Sequence, residues 1–372
     1  MYFAATMFTI FAKANRQNMK KALLTGTIIT LLTAGGCGNP ETPNVDLLIG
    51  TYGEHAHIYS FDYESLEFTP KGAVEAMNAS YAIAEKGSIF AVSECCGESG
   101  VHSFKEEEAK DLRQTGADPC FLLLHEGHLM TADYSGGSVS VFPIKNGVLE
   151  DRCAQLSFSG SGPVTERQQS SHIHQLKAVP GMEGRILATD LGADVIHVLE
   201  FTPSDTASLL RHVSDISCPP GSGPRHMEFG EGRDGLILYC IAELSGEVLV
   251  YQVSDEFRLI QRIQADEVNA GGSSDIHIHP SGRWLYTSHR LENDGISIFS
   301  INEDGTLVKS GYMNTGRHPR NFMITEDGDF LLVACRDDRM IQVFRIGENG
   351  GLIPTEAVLN LESDMPSSVV SI

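Results

Sequence analysis

The sequence predicts an all-β protein, a seven-bladed β-propeller closed into a ring by its last strand. Three observations carry this expectation. A unit of apolar strands separated by Gly, Asn and Asp turns recurs six times. No stretch after residue 40 keeps a helical period. Incomplete pieces of the same unit stand at the two chain ends. Four short antiparallel strands per repeat make a propeller blade, and the repeats, anchored at 79, 119, 173, 225, 275 and 320, are 40 to 54 residues apart, a blade-like spacing.

The N-terminus is a separate piece of chemistry. From Met19 it runs MKKALLTGTIITLLTAGGC, two lysines, an apolar run and small residues before Cys37, the layout of a secretory signal and too short for a membrane span. The Gly35-Gly36-Cys37 ending resembles a bacterial lipoprotein cleavage box, so Cys37 is the expected lipidation site. Residues 1–36 are expected to be a signal peptide or an over-long start plus a signal, 37–45 a linker, and 46–372 a single propeller. The expected location is a bacterial cell envelope, on the periplasmic or surface side, with membrane contact only through the lipid anchor.

LLIGTY (47–52) and HIYSFDY (57–63) read as the second and third strands of a blade lacking its first. Complete units follow from Ala79-Ser80, Asp118-Pro119, His172, Pro224, Ser274 and Pro319. MPSSVVSI (365–372) then supplies a lead-in and one strand and stops, which is what the first blade lacks; pairing them leaves no open sheet edge. The 336 residues from Cys37 onward give 48 per blade. The longest irregular stretch, around Ser157 to Ser171, reads as an insertion.

Composition excludes several functions. Forty-nine acidic against 27 basic residues give a net charge of −22, or −26 without residues 1–36, which opposes nucleic acid binding. A single tryptophan, Trp284, excludes a WD40 array. There is no GxSxG elbow, Walker loop or dinucleotide fingerprint. The seven cysteines besides Cys37 show no zinc-type CxxC pair and most are expected to be buried thiols, with plain packing expected for the adjacent Cys95 and Cys96 over a vicinal disulfide or a soft-metal site. No metal or cofactor is expected, and the chain is expected to be a monomer.

Polar residues in or just after inner strands face the channel where a propeller gathers ligands. His172 and His174 are two apart on a predicted strand, Arg225 and His226 begin the next blade, Glu243 follows its second strand, Arg290 takes the corresponding place one blade later, and Arg320 opens the last blade. A carboxylate or imidazole base with guanidinium donors suits water attack on an ester carbonyl, and guanidinium also matches phosphate and carboxylate bidentately. His277 and His279 share another strand, with a turn-bracing look, and His55 and His57 flank the first strand turn, expected to be exposed.

The segments SHIHQL, DLGADVIHVLEF, GSGPRHMEF, AELSGEVLVY, SSDIHIHPSGRWLYTSHR and HPRNFMITEDGDFLLVACR, with the PSSVVSI ending, resemble the lactonase family of seven-bladed propellers. That family includes propeller-type 6-phosphogluconolactonases and carboxymuconate-lactonizing enzymes. The resemblance covers residues 46–372 and implies catalytic roles for His174, Arg225, Glu243 and Arg290, with either Glu243 or His174 as base. Substrate-binding roles are expected for His172, His226 and Arg320. The implied activity is hydrolysis of a small sugar-acid lactone. The alternatives are a cycloisomerase of the carboxymuconate type and a non-enzymatic envelope propeller binding a sugar or protein.

Overall fold

Seven antiparallel sheets follow one another around a ring in a computed structural model that describes residues 44–94, 99–105, 108–109, 112–205, 208–254 and 256–372. The described residues contain strands and no helix, and Thr42–Ile372 is one compact unit. The expected signal, the Cys37 anchor and the Cys95-Cys96 pair lie outside the described residues.

Blade 1 joins the chain ends. Its inner strand is Met365–Ser371, followed outward by Asn44–Tyr52, His55–Asp62 and Phe68–Glu75. The first strand thus starts two residues before the expected boundary at 46. Leu47 pairs with Ser371 and Ile49 with Val369, the expected closure. Inner strands of the other blades are Ala82–Glu85, Pro119–His125, Ile173–Ala178, Pro224–Gly232, Ser273–Ile278 and Pro319–Ile324.

Burial explains why these segments read as they do. Second strands such as Phe330–Cys335 (FLLVAC) are buried on both faces between neighbouring blades and are apolar throughout. Outer strands such as Leu210–Ser217 and Phe257–Gln264 are mostly exposed and carry the charges. The described apolar core divides into seven clusters, one at each blade interface. Leu48, Ala56 and Val74 of blade 1 meet Ala82, Ala91 and Phe104 of blade 2, and so on around to Phe330 and Leu332 of blade 7 against Leu47, Ile49 and Val369.

The feature that positions the site is a bulge near the start of the inner strands. The register slips between Pro366 and Ser368, Pro119 and Phe121, Ile173 and Gln175, Pro224 and His226, Ser273 and Ile276, and Pro319 and Asn321. Each slip leaves one residue, or two in the Ser273–Ile276 case, out of the ladder and re-aims the side chain. Those residues include Ser367, Cys120, His174, Arg225, Ser274 and Arg320. Proline stands just before four of them, where its missing N–H is tolerated as the strand begins. Because His172 lies outside its strand and His174 is the bulged residue, simple alternation does not place the two on one face, contrary to expectation.

Of the cysteines, Cys120, Cys218, Cys240 and Cys335 are buried thiols, whereas Cys153 is exposed. His55 and His57 are half-buried, not exposed as expected: His57 Nε2 is 2.7 Å from Asp364 Oδ2, and His55 approaches the same carboxylate. His279 braces a turn, bonding Ser281 Oγ at 2.8 Å and the Gly328 carbonyl at 2.9 Å.

Candidate active site

Two structurally repeated positions build the channel site. One is the bulged residue of the inner strand, in blades 3, 4 and 7; the other is the residue ending or following the second strand: Tyr52, Glu94, Tyr134, Glu243 and Arg290 in blades 1, 2, 3, 5 and 6. Together with Cys120, His174, Arg320, Leu291 and Arg167 they line a cavity of about 290 Å³. Arg167 comes from the 157–171 insertion, whose Gln168 Nε2 donates to the Leu191 carbonyl and to Asp194 Oδ1, each at 2.8 Å.

Glu243 is the electrostatic centre. Its Oε1 lies 2.6 Å from Arg167 Nη2, and its Oε2 lies 2.8 Å from Arg225 Nε and 3.0 Å from Arg290 Nη2. Burial alone would raise its pKa, but Arg290, Arg225 and Arg167 outweigh that and hold the carboxyl at about 2. A carboxylate so weakly basic is a counterion that aligns three guanidiniums, a poor candidate for the base expected from the sequence.

His174 has the opposite character. Burial, and then the positive charges of Arg225, His226, Arg320 and Arg290, hold its pKa well below 6.5, so the imidazole is neutral. Its ring meets Tyr134 and His226 edge-on, and its one hydrogen-bonding side-chain neighbour among the described residues is the Cys120 thiol, 3.9 Å from Nδ1. Burial, with Glu94 nearby, keeps that thiol protonated.

Arg320 lies over the Tyr52 ring at 5.3 Å and has no carboxylate within ion-pair distance among the described residues. Glu94 is occupied, accepting from the Tyr52 hydroxyl at 2.8 Å and from Ser80 Oγ. The lining therefore carries three guanidiniums against two carboxylates, with Arg225 beneath, in a protein of net charge −22.

Of the residues expected from the sequence, His174, Glu243, Arg290 and Arg320 line this cavity. Arg225 and His226 do not. They line a narrow space of about 10 Å³, room for no more than a water, where Arg225 Nη1 donates to the Ser274 carbonyl at 2.6 Å and His226 Nδ1 bonds Asp275 Oδ1 at 2.6 Å. Burial and Arg225 lower His226 to about 4. Arg225 is thus fitted to position Glu243, and direct contact of either residue with substrate is not what this geometry offers. His172 also lies outside the lining, stacked on Tyr134 with centroids 4.4 Å apart. Tyr52, Glu94, Cys120 and Tyr134 were not singled out from the sequence, although aligning the repeats on Glu243 and His174 reaches them. Arg167 has no repeat equivalent to reveal it.

Comparison with known proteins agrees with this architecture. A 6-phosphogluconolactonase of Formosa agariphila is 36% identical over 249 residues, 64% of this chain and 69% of that protein. One of Yersinia pestis is 34% identical over 236 residues, 61% and 66% of the two chains. Among solved structures, a candidate 6-phosphogluconolactonase from Bacteroides fragilis superposes with a TM-score of 0.84 at 37% identity, covering 88% of this chain and 98% of its own. A periplasmic gluconolactonase of Pseudomonas aeruginosa gives 0.79 at 25% identity, covering 89% and 99%. The model of the family described as Lactonase, 7-bladed beta-propeller, matches residues 46–371. With that match spanning nearly the whole ring, the chain belongs to the seven-bladed propeller lactonase family.

Proposed function

We propose that the protein is a lactone hydrolase whose substrate carries a second, anionic group such as a phosphate or carboxylate. One observation carries the reading: a neutral imidazole, His174, and a guanidinium with no carboxylate within ion-pair distance among the described residues, Arg320, face one cavity together with an aligned array of arginines. Arg320 takes the substrate's anion, since a guanidinium pairs bidentately with phosphate or carboxylate. The lactone carbonyl then lies toward Arg290, and His174 accepts a proton from the attacking water. The oxyanion of the tetrahedral intermediate is stabilised by Arg290. Collapse breaks the ring C–O bond, and the protonated His174 returns its proton to the leaving ring oxygen, giving the hydroxy acid. Binding an anion also offsets the positive field that depresses His174, so the imidazole is a stronger base in the complex than in the free protein.

Two variants test these roles. His174→Gln keeps the size of the side chain but removes the proton acceptor, and kcat is expected to fall by ~10²-fold or more with the fold retained. In the wild type, kcat/KM is expected to stay level from pH 8 to 6, because the free imidazole does not protonate in that range; a fall centred at the ordinary histidine value would contradict the assignment. Arg320→Lys replaces a planar fork by a point charge and is expected to raise KM about tenfold with a smaller change in kcat. Equal kinetics in wild type and variant would remove Arg320 from the anion subsite.

The reading extends to location. The signal-like segment ending at Cys37, and the similarity to a periplasmic gluconolactonase, support export and lipid anchoring in a bacterial envelope. Expressed in a bacterium, the chain is expected in the membrane fraction, with Cys37→Ala released or unprocessed. An intact Met1 on a soluble cytoplasmic product would overturn this.

A further inference from the structure

Outside the channel, blade 4 holds a second constellation. His197 lies on the third strand, Val195–Phe201, and His212 and Asp215 lie on the outer strand, Leu210–Ser217. Residues three apart on a regular strand point to opposite faces. Here the ladder pairs His197 with Asp215 and Leu199 with His212, and the slip between Val198 and Leu199 leaves Val213 unpaired. That bulge turns His212 and Asp215 to the face that carries His197. Asp215 Oδ1 lies 2.6 Å from His197 Nδ1 and 2.7 Å from His212 Nε2, and the three potential ligand atoms are all within 4.8 Å of one another.

We propose that His197, His212 and Asp215 form a binding site for a divalent transition metal ion, with Zn²⁺ the best match. Two imidazoles and one carboxylate form a borderline-soft donor set suited to it. The surroundings of His197 are those of a metal ligand: its other nitrogen, Nε2, is 3.3 Å from Oδ2 of the fully buried Asp190, which fixes the ring and directs Nδ1 toward the other two ligand atoms. Phe158 stacks on the same ring, centroids 4.0 Å apart and planes 14° from parallel. His212 and Asp215 have side chains 39% and 43% exposed, leaving a fourth position open to water. Ligand atoms ~2.0–2.1 Å from zinc stand about 3.3 Å apart in a tetrahedron, so a metal needs Asp215 to withdraw by well under 1 Å from each imidazole and the two imidazole nitrogens, within 4.8 Å of each other, to take the same spacing, adjustments that the exposure of His212 and Asp215 permits.

The site also has a structural consequence. Asp190 Oδ1 accepts from the backbone N–H groups of His172, Gly192 and Ala193, and Phe158 stands at the root of the insertion that carries Arg167 to Glu243. A bound ion would therefore tie the outer strands of blade 4 to the base of that insertion without entering the channel.

The test is equilibrium dialysis of the chelator-treated full chain against Zn²⁺, with His212→Ala and Asp215→Asn, both outer-strand changes, checked for retained fold by circular dichroism. The expected result is one ion per wild-type chain, with affinity lowered at least about tenfold in each variant, and a visible Co²⁺ spectrum of four-coordinate type that His212→Ala abolishes. Failure of the wild type to retain stoichiometric Zn²⁺, or binding undiminished in both folded variants, would overturn the proposal.

Discussion

Glu243→Gln is expected to destabilise the protein by about 3–5 kcal/mol, because it leaves the buried guanidiniums of Arg225 and Arg290 without their counterion. The amide keeps the shape of the side chain but supplies neither the charge nor a second acceptor oxygen. The same reasoning fixes a pH dependence. The carboxyl titrates near 4.5 when unfolded and at about 2 when folded, so its contribution is fully present above pH 4.5 and is lost as the pH falls toward 2. That difference corresponds to about 3 kcal/mol. Urea unfolding of the two proteins at pH 7 measures the effect, and the gap between them should narrow as the pH falls below 4.5. An unchanged midpoint at pH 7 together with a large loss of kcat would instead restore Glu243 to the role of base.

Removing Pro366–Ile372 should cost more. The deletion strips all but Met365 of the inner strand from blade 1, with five residue pairs to Leu47–Thr51. It also removes the bonds from Ser367 Oγ to the Ser80 carbonyl and from Val369 N–H to Asn321 Oδ1, each 2.8 Å, and the fully buried Val369. At about 1 kcal/mol net per hydrogen bond and 1.5–3 kcal/mol for the valine, the loss is on the order of 5 kcal/mol or more, comparable to the whole stability of many proteins. The truncated chain exposes a new edge on LLIGTY and should aggregate on expression. A soluble truncation that melts like the full chain would contradict closure by the last strand.

The ring was legible in the sequence because its causes are local and repeated. Each blade needs a doubly buried second strand, and FLLVAC or GLILYCIA shows it directly; the orphan strand at 365–372 needed only the incomplete first blade to explain it. The site was legible in part. His174, Glu243, Arg290 and Arg320 occupy positions that recur from blade to blade, so reading one repeat against another locates them. The bulges were not legible, since a slipped register leaves no mark on the chain beyond a preceding proline, and without them the His172 and His174 pair reads as simple alternation. Nor was the role of Glu243. Its carboxylate is governed by Arg167, 76 positions away on an insertion, and by Arg225 and Arg290 from two blades. Whether such a group is a base or a counterion depends on the sum of those fields.

The most direct test of the account is the initial rate of ring opening by the purified chain on a sugar-acid lactone that bears a phosphate or carboxylate, compared with its uncharged counterpart. The predicted result is saturable opening of the anionic lactone with kcat/KM at least about tenfold above that of the neutral one, the preference coming from the bidentate grip of Arg320. Opening of both lactones at no more than the spontaneous rate would contradict it and leave the propeller a binding protein.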